Sequence, residues 1–83
     1  MFKVTFKKSV AKDLKRISKT QVKKILDKIE IDLSNNPEQF PELRGKFAGL
    51  RKFRVGDYRI IFAIIDNDTV LITRIKHRRE VYK

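Results

Sequence analysis

Cysteine is absent from this 83-residue chain, and histidine occurs once. Without thiols there is no disulfide and no thiolate metal site, which excludes the cysteine frameworks of secreted scaffolds and zinc domains. No grouping of aspartate, glutamate and histidine has the spacing of a metal site, so neither a metal nor another cofactor is expected. No apolar run reaches the ~20 residues of a membrane span. No signal peptide is evident ahead of the fold. The expected location is therefore the cytoplasm, with no membrane partner. Internal repeats and low-complexity segments are missing too. Acidic residues are scarce: ten, against twenty-one lysines and arginines, which gives a net charge of +11 and a pI near 10.3. Such a chain attracts polyanions, whether nucleic acid, anionic membrane or an acidic protein.

What is present is compatible with one domain, residues 1–83, around one modest core. The positive charge is unevenly typed. Residues 1–42 hold ten basic residues against six acidic ones, and only Arg16 is an arginine. Residues 43–83 hold eleven against four, and seven are arginines. Lysine is a mobile point charge, whereas arginine presents a planar fork that matches phosphate. The second part is the better candidate for a phosphate site.

Periodicity gives the elements. Phe2 to Phe6 alternates as a short strand with one buried face. Ser9 is placed to cap a short helix carrying Val10, Leu14 and Ile17. Thr20 is placed to cap a second, in which Val22, Ile25, Leu26, Ile29 and Leu33 form one apolar stripe. Asn35-Asn36-Pro37 ends it, because proline disfavours helix in the residue before it. Residues 38–49 read as an ordered connector tacked down by Phe40, Leu43 and Phe47. Three strands follow: Leu50 to Val55, Tyr58 to Ile65 and Val70 to His77. Gly56-Asp57 and Asp66-Asn67-Asp68 supply the turns. The order βααβββ predicts an α+β fold, a small antiparallel β-sheet with an N-terminal helical hairpin packed on one face.

Strand alternation sorts the side chains. Arg51 shares a face with Phe53 and Val55, while Lys52 and Arg54 take the other. Arg59, Ile61, Ala63 and Ile65 oppose Tyr58, Ile60, Phe62 and Ile64. On the last strand Arg74, Lys76 and Arg78 are expected on one face, and Leu71, Thr73, Ile75 and His77 on the other. The Gly56-Asp57 turn brings Arg54 close to Arg59. Like charges so placed cost a few tenths to about 1 kcal/mol, which is consistent with an anionic ligand.

Four segments carry a resemblance: Ala11-Lys12-Asp13-Leu14, Leu43-Arg44-Gly45, Arg54-Val55-Gly56-Asp57-Tyr58-Arg59 and Arg78-Arg79-Glu80-Val81-Tyr82. With them, nearly the whole chain resembles the RelE toxins of the RelE/ParE superfamily of toxin–antitoxin proteins. The resemblance implies a metal-independent endoribonuclease that cuts mRNA in the ribosomal A site and so inhibits translation. It implies Lys52, Arg54, Arg59, Arg78 and Tyr82 as catalytic residues. Arg51, Arg74, Lys76, His77 and Arg79 are the expected surrounding RNA-binding set. Either His77 or Arg78 could occupy the family's last-strand position. The implied partners are the ribosome with its mRNA and a cognate acidic antitoxin.

RNA carries its own nucleophile, the 2′-hydroxyl. Cleavage needs a base, cations for the phosphorane charge and help for the leaving 5′-oxygen. Lys52 or Tyr82 is expected as base, with Arg54 and Arg59 on the phosphate and Arg78 near the leaving group. Arginine holds its proton too tightly to be a good acid, so electrostatic stabilisation suits Arg78 better. His77 could instead be an ordinary strand-end residue, and Tyr82 could stack on a base or pack on the sheet edge. Two other functions fit the same features: inhibition of DNA gyrase, as in the ParE branch, and plain nucleic-acid binding without cleavage.

Overall fold

A computed structural model describes residues 1–43, 45 and 49–81, with the backbone alone for residues 80 and 81. The elements run β1 (Lys3–Phe6), α1 (Lys8–Lys15), α2 (Lys19–Asn35), a 3₁₀ turn (Pro37–Gln39), β2 (Arg51–Val55), β3 (Tyr58–Asp66), β4 (Thr69–His77) and α3 (Arg78–Val81). The four strands lie in the order β1-β4-β3-β2. The β2–β3 and β3–β4 pairs are antiparallel, as the turns require. β1 runs parallel to β4, so the sheet is mixed rather than purely antiparallel. The two helices between β1 and the meander carry the chain to the far edge, and β4 then returns to lie alongside β1, running the same way.

α2 forms because its apolar residues recur on one stripe. Ile25, Ile29 and Leu33 are buried, with Leu26 packed beside them. Its cap is Ser18, whose hydroxyl accepts from the Gln21 N–H at 3.4 Å. The expected cap, Thr20, lies inside the helix, whose first turn starts earlier than the apolar stripe suggests. Ser9 is likewise not a cap. It sits in the first turn of α1, and its hydroxyl donates to the Thr73 carbonyl at 2.8 Å, tying the helix to the sheet. α1 presents Val10 to the core.

The core lies between the helices and one sheet face, where Phe53, Val55, Ile60, Phe62, Val70, Ile72 and Ile75 meet α1 and α2. Phe62, Ile60, Val70 and Ile72 are 0% exposed. Burying each such side chain stabilises the fold by roughly 1.5–3 kcal/mol. Phe40 closes the end of this layer, with its ring 4.8 Å from Phe53 and 6.1 Å from Phe62. It anchors the connector as expected; Phe47 lies outside the described residues.

One irregularity changes the expected faces of β4. Ile61 pairs with Arg74, but Phe62 pairs with Ile72, so Thr73 is an extra residue, a bulge. The Thr73 hydroxyl donates to the Ile61 carbonyl at 3.0 Å, and the Thr73 carbonyl takes the Ser9 bond. The bulge shifts side-chain parity. Val70 and Ile72 face the core before it and Ile75 after it, while Leu71 pairs with Ala63 on the outer face. Leu71 therefore does not share a face with Ile75. The second correction is Arg78, which opens α3 instead of continuing β4.

Candidate nucleic-acid interface

The β2–β3 hairpin places its basic side chains by register alone. Lys52 pairs with Ile61, and Arg54 lies directly opposite Arg59. Alternation then puts Lys52, Arg54 and Arg59 on the outer face, away from the helices. Gly56 makes the tight turn possible with φ of +58°, and Asp57 has no positive φ. Glycine first in a two-residue loop is the pattern of a type II′ turn, whose twist matches the strands.

Asp57 then does more than turn the chain. Its carbonyl accepts the Arg78 N–H at 2.8 Å, and its carboxylate lies 3.8 Å from the Arg78 guanidinium. These contacts dock the start of α3 on the hairpin tip. The result is a cleft of about 430 Å³ whose lining includes Lys52, Arg54, Arg59 and Arg78 together with Asp57, Tyr58, Phe40 and Pro41. Four of the five residues expected to be catalytic thus share one cavity. The fifth, Tyr82, lies outside the described residues.

The expected wider set divides. Arg51 faces the connector. Its guanidinium donates to the Phe40 carbonyl at 2.6 Å and the Glu38 carbonyl at 3.3 Å, and meets the Glu42 carboxylate at 3.4 Å. It holds residues 38–42 against β2 and does not line the cleft. Arg74 makes a two-pronged bond to Asp13 of α1, Nε to Oδ2 at 2.9 Å and Nη2 to Oδ1 at 3.0 Å. Lys76 pairs with Arg59 across the sheet. His77 stands edge-on to Tyr58 at 5.3 Å, and its Nδ1 accepts the Arg79 N–H at 3.2 Å. His77 and Arg79 line a different cleft from Arg78.

The buried role of Asp13 is hidden in the sequence because an acidic residue on a lysine-rich helix looks solvent-exposed. Its side chain is only 8% exposed. The Ile75 N–H also donates to its Oδ2, at 2.9 Å. Burial works to raise its pKa, but hydrogen bonds from Arg74 and the Ile75 N–H, with the charges of Arg74 and Lys76, outweigh it and hold the carboxyl below its ordinary value. Among the described residues, no group of three or more histidine, aspartate or glutamate side chains could hold a metal ion. No described helix is long and apolar enough to cross a membrane.

The chain is thus a small α+β domain with a basic cleft at a hairpin tip, and comparison with known proteins gives the family. The family model for the ParE toxin of the type II toxin–antitoxin system parDE matches residues 4–82. Toxin RelG of Mycobacterium tuberculosis (strain ATCC 25618 / H37Rv) is 30% identical over 84 residues, spanning 99% of this chain and 97% of the relative. The toxin–antitoxin complex RelBE2 of the same species superposes with a TM-score of 0.80 at 30% identity, over 93% of this chain and 98% of that one. The RelB–RelE antitoxin–toxin complex of Methanococcus jannaschii does so with a TM-score of 0.63 at 27% identity, over 94% of each chain. The chain belongs to the RelE/ParE superfamily and is a toxin of a type II toxin–antitoxin system.

Proposed function

We propose that this toxin is a ribosome-dependent mRNA endonuclease that cuts in the A site and stops translation. The observation that carries this reading is the single cleft holding Lys52, Arg54, Arg59 and Arg78. Arg54 and Arg59 stand directly opposite each other, an arrangement that costs stability in an empty sheet and suits a bridging phosphate. The RNA 2′-hydroxyl attacks the adjacent phosphorus. Lys52 or Tyr82 takes its proton, Arg54 and Arg59 stabilise the added negative charge, and Arg78 stabilises the departing 5′-oxygen. The departing 5′-oxygen takes a proton from solvent water, so the products are a 2′,3′-cyclic phosphate and a 5′-hydroxyl. No metal enters this scheme, because the nucleophile is intramolecular and the charge is met by fixed guanidinium groups.

The partners proposed are the ribosome with its mRNA and an acidic antitoxin. Relatives solved as RelB–RelE complexes support an antitoxin partner, and a +11 chain would attract an acidic one. The proposed location is cytoplasmic, where translating ribosomes are.

A second reading is inhibition of DNA gyrase, favoured by the ParE description of the matching family model. Pulse labelling after induction separates the two. Under the nuclease reading, protein synthesis falls first and RNA fragments carry cyclic phosphate ends. Early loss of DNA synthesis with translation intact would overturn it in favour of gyrase.

A further inference from the structure

A second cleft, of about 320 Å³, lies on the helix side of the Tyr58–His77 pair. Its floor is apolar, from Ile17 and Ile75, and Tyr58 forms part of its wall. Arg16, at the end of α1, and Arg79 of α3 line it as well. Asp13 also borders it, but both Asp13 oxygens are taken by Arg74 and the Ile75 N–H. The excess charge of the cleft is therefore that of two arginines. Tyr58 lines both clefts, and the neighbours Arg78 and Arg79 open into one each. The two cavities are thus adjacent, separated by one aromatic pair.

We infer that the second cleft is an RNA subsite for a nucleotide flanking the one cut. Its phosphate meets Arg16 and Arg79, and its base rests on Ile17 and the Tyr58 ring. A volume near 300 Å³ is at the small end of ligand pockets, which suits one nucleotide better than a folded partner. Guanidinium groups above an apolar and aromatic floor match the two chemistries of single-stranded RNA, phosphate and base face. Arg16 is thereby assigned a role as the lone arginine of the first half of the chain. The inference rests on the first cleft holding the reacting phosphate.

The test is fluorescence anisotropy at low salt with two uncleavable 2′-O-methyl RNAs, one a single nucleotide bearing a 3′-phosphate and one of about eight nucleotides. Combining Arg16→Ala with Arg79→Ala is expected to weaken the longer RNA about tenfold and the shorter one little. Arg16→Ala alone, which leaves α3 untouched, should give part of that loss. Lys23→Ala with Lys24→Ala removes the same charge from exposed α2 and should act weakly and equally on both. Equal losses for the two RNAs, or none, overturn the inference. Loss of binding to a poly-glutamate peptide with both RNAs unaffected overturns it in favour of an acidic protein partner. If Arg59→Ala fails to weaken the short RNA, the first-cleft reading falls, and the subsite with it. If Arg59→Ala weakens it and the double variant spares the longer RNA, the subsite alone falls.

Discussion

At the scale of single residues, the arginines of this chain have unlike fates, and neighbours decide which. Arg51 and Arg54 lie on the same strand three positions apart. Arg51 turns toward the connector carbonyls, and Arg54 opens into the cleft. Arg74 belongs to a charged staple with Asp13 that joins α1 to β4 just past the Thr73 bulge. Removing the carboxylate leaves the Ile75 N–H without its partner and takes the two-pronged bond from Arg74. Asp13→Ala should therefore lower stability by about 2 kcal/mol, read from the urea midpoint. The pH dependence follows from the direction of the shift. The folded-state pKa is depressed, so the contribution is full above the ordinary aspartate range and is lost as pH falls through the folded value. Asp13→Asn should flatten the acid limb of stability against pH, and an unchanged limb would contradict this role. In the cleft, Arg59→Ala should lower cleavage by about a hundredfold or more with the unfolding midpoint nearly unchanged.

At the scale of elements, the hairpin between β2 and β3 decides where the site can be. Gly56 adopts φ of +58° with open space around its α-carbon, so the cost of a side chain there is backbone strain alone. Gly56→Ala should destabilise by about 1 kcal/mol, and Gly56→Asn by less, in thermal or urea unfolding. Both should reduce cleavage more than stability, since the turn sets Arg54 against Arg59 and carries Asp57 to Arg78. Equal activity in both variants would contradict that link. This hairpin was legible in the sequence because alternation and a Gly-Asp pair are local signals. The α2 stripe and the three strands of the meander were legible for the same reason. The parallel β1–β4 pairing was not, because it joins residues more than sixty positions apart. Nor was the Thr73 bulge, which carries no glycine or proline and is held by hydroxyl bonds from Ser9 and Thr73. The turn from β4 into α3 was missed because Arg78 continues the alternation of β4, while its N–H is bonded to a residue twenty-one positions earlier. Tertiary hydrogen bonds of this kind leave no periodicity to read.

At the scale of the whole molecule, a net charge of +11 on 83 residues draws the toxin to any polyanion, while the cleft selects what is done there. Binding to single-stranded RNA should weaken with salt by a slope of about 0.7 per phosphate contacted. Arg59→Ala should reduce that slope by about one contact in anisotropy titrations, and Lys24→Ala should leave it nearly unchanged. The same charge makes an acidic antitoxin segment a fitting neutraliser, because it would compete with RNA for one surface. The most direct test of the account is primer extension on a defined message in a reconstituted translation system, with wild type and Arg59→Ala side by side. The account predicts ribosome-dependent cuts at A-site codons with the wild type and their loss in the variant. An intact message with the wild type, or equal cutting by both proteins, would contradict it.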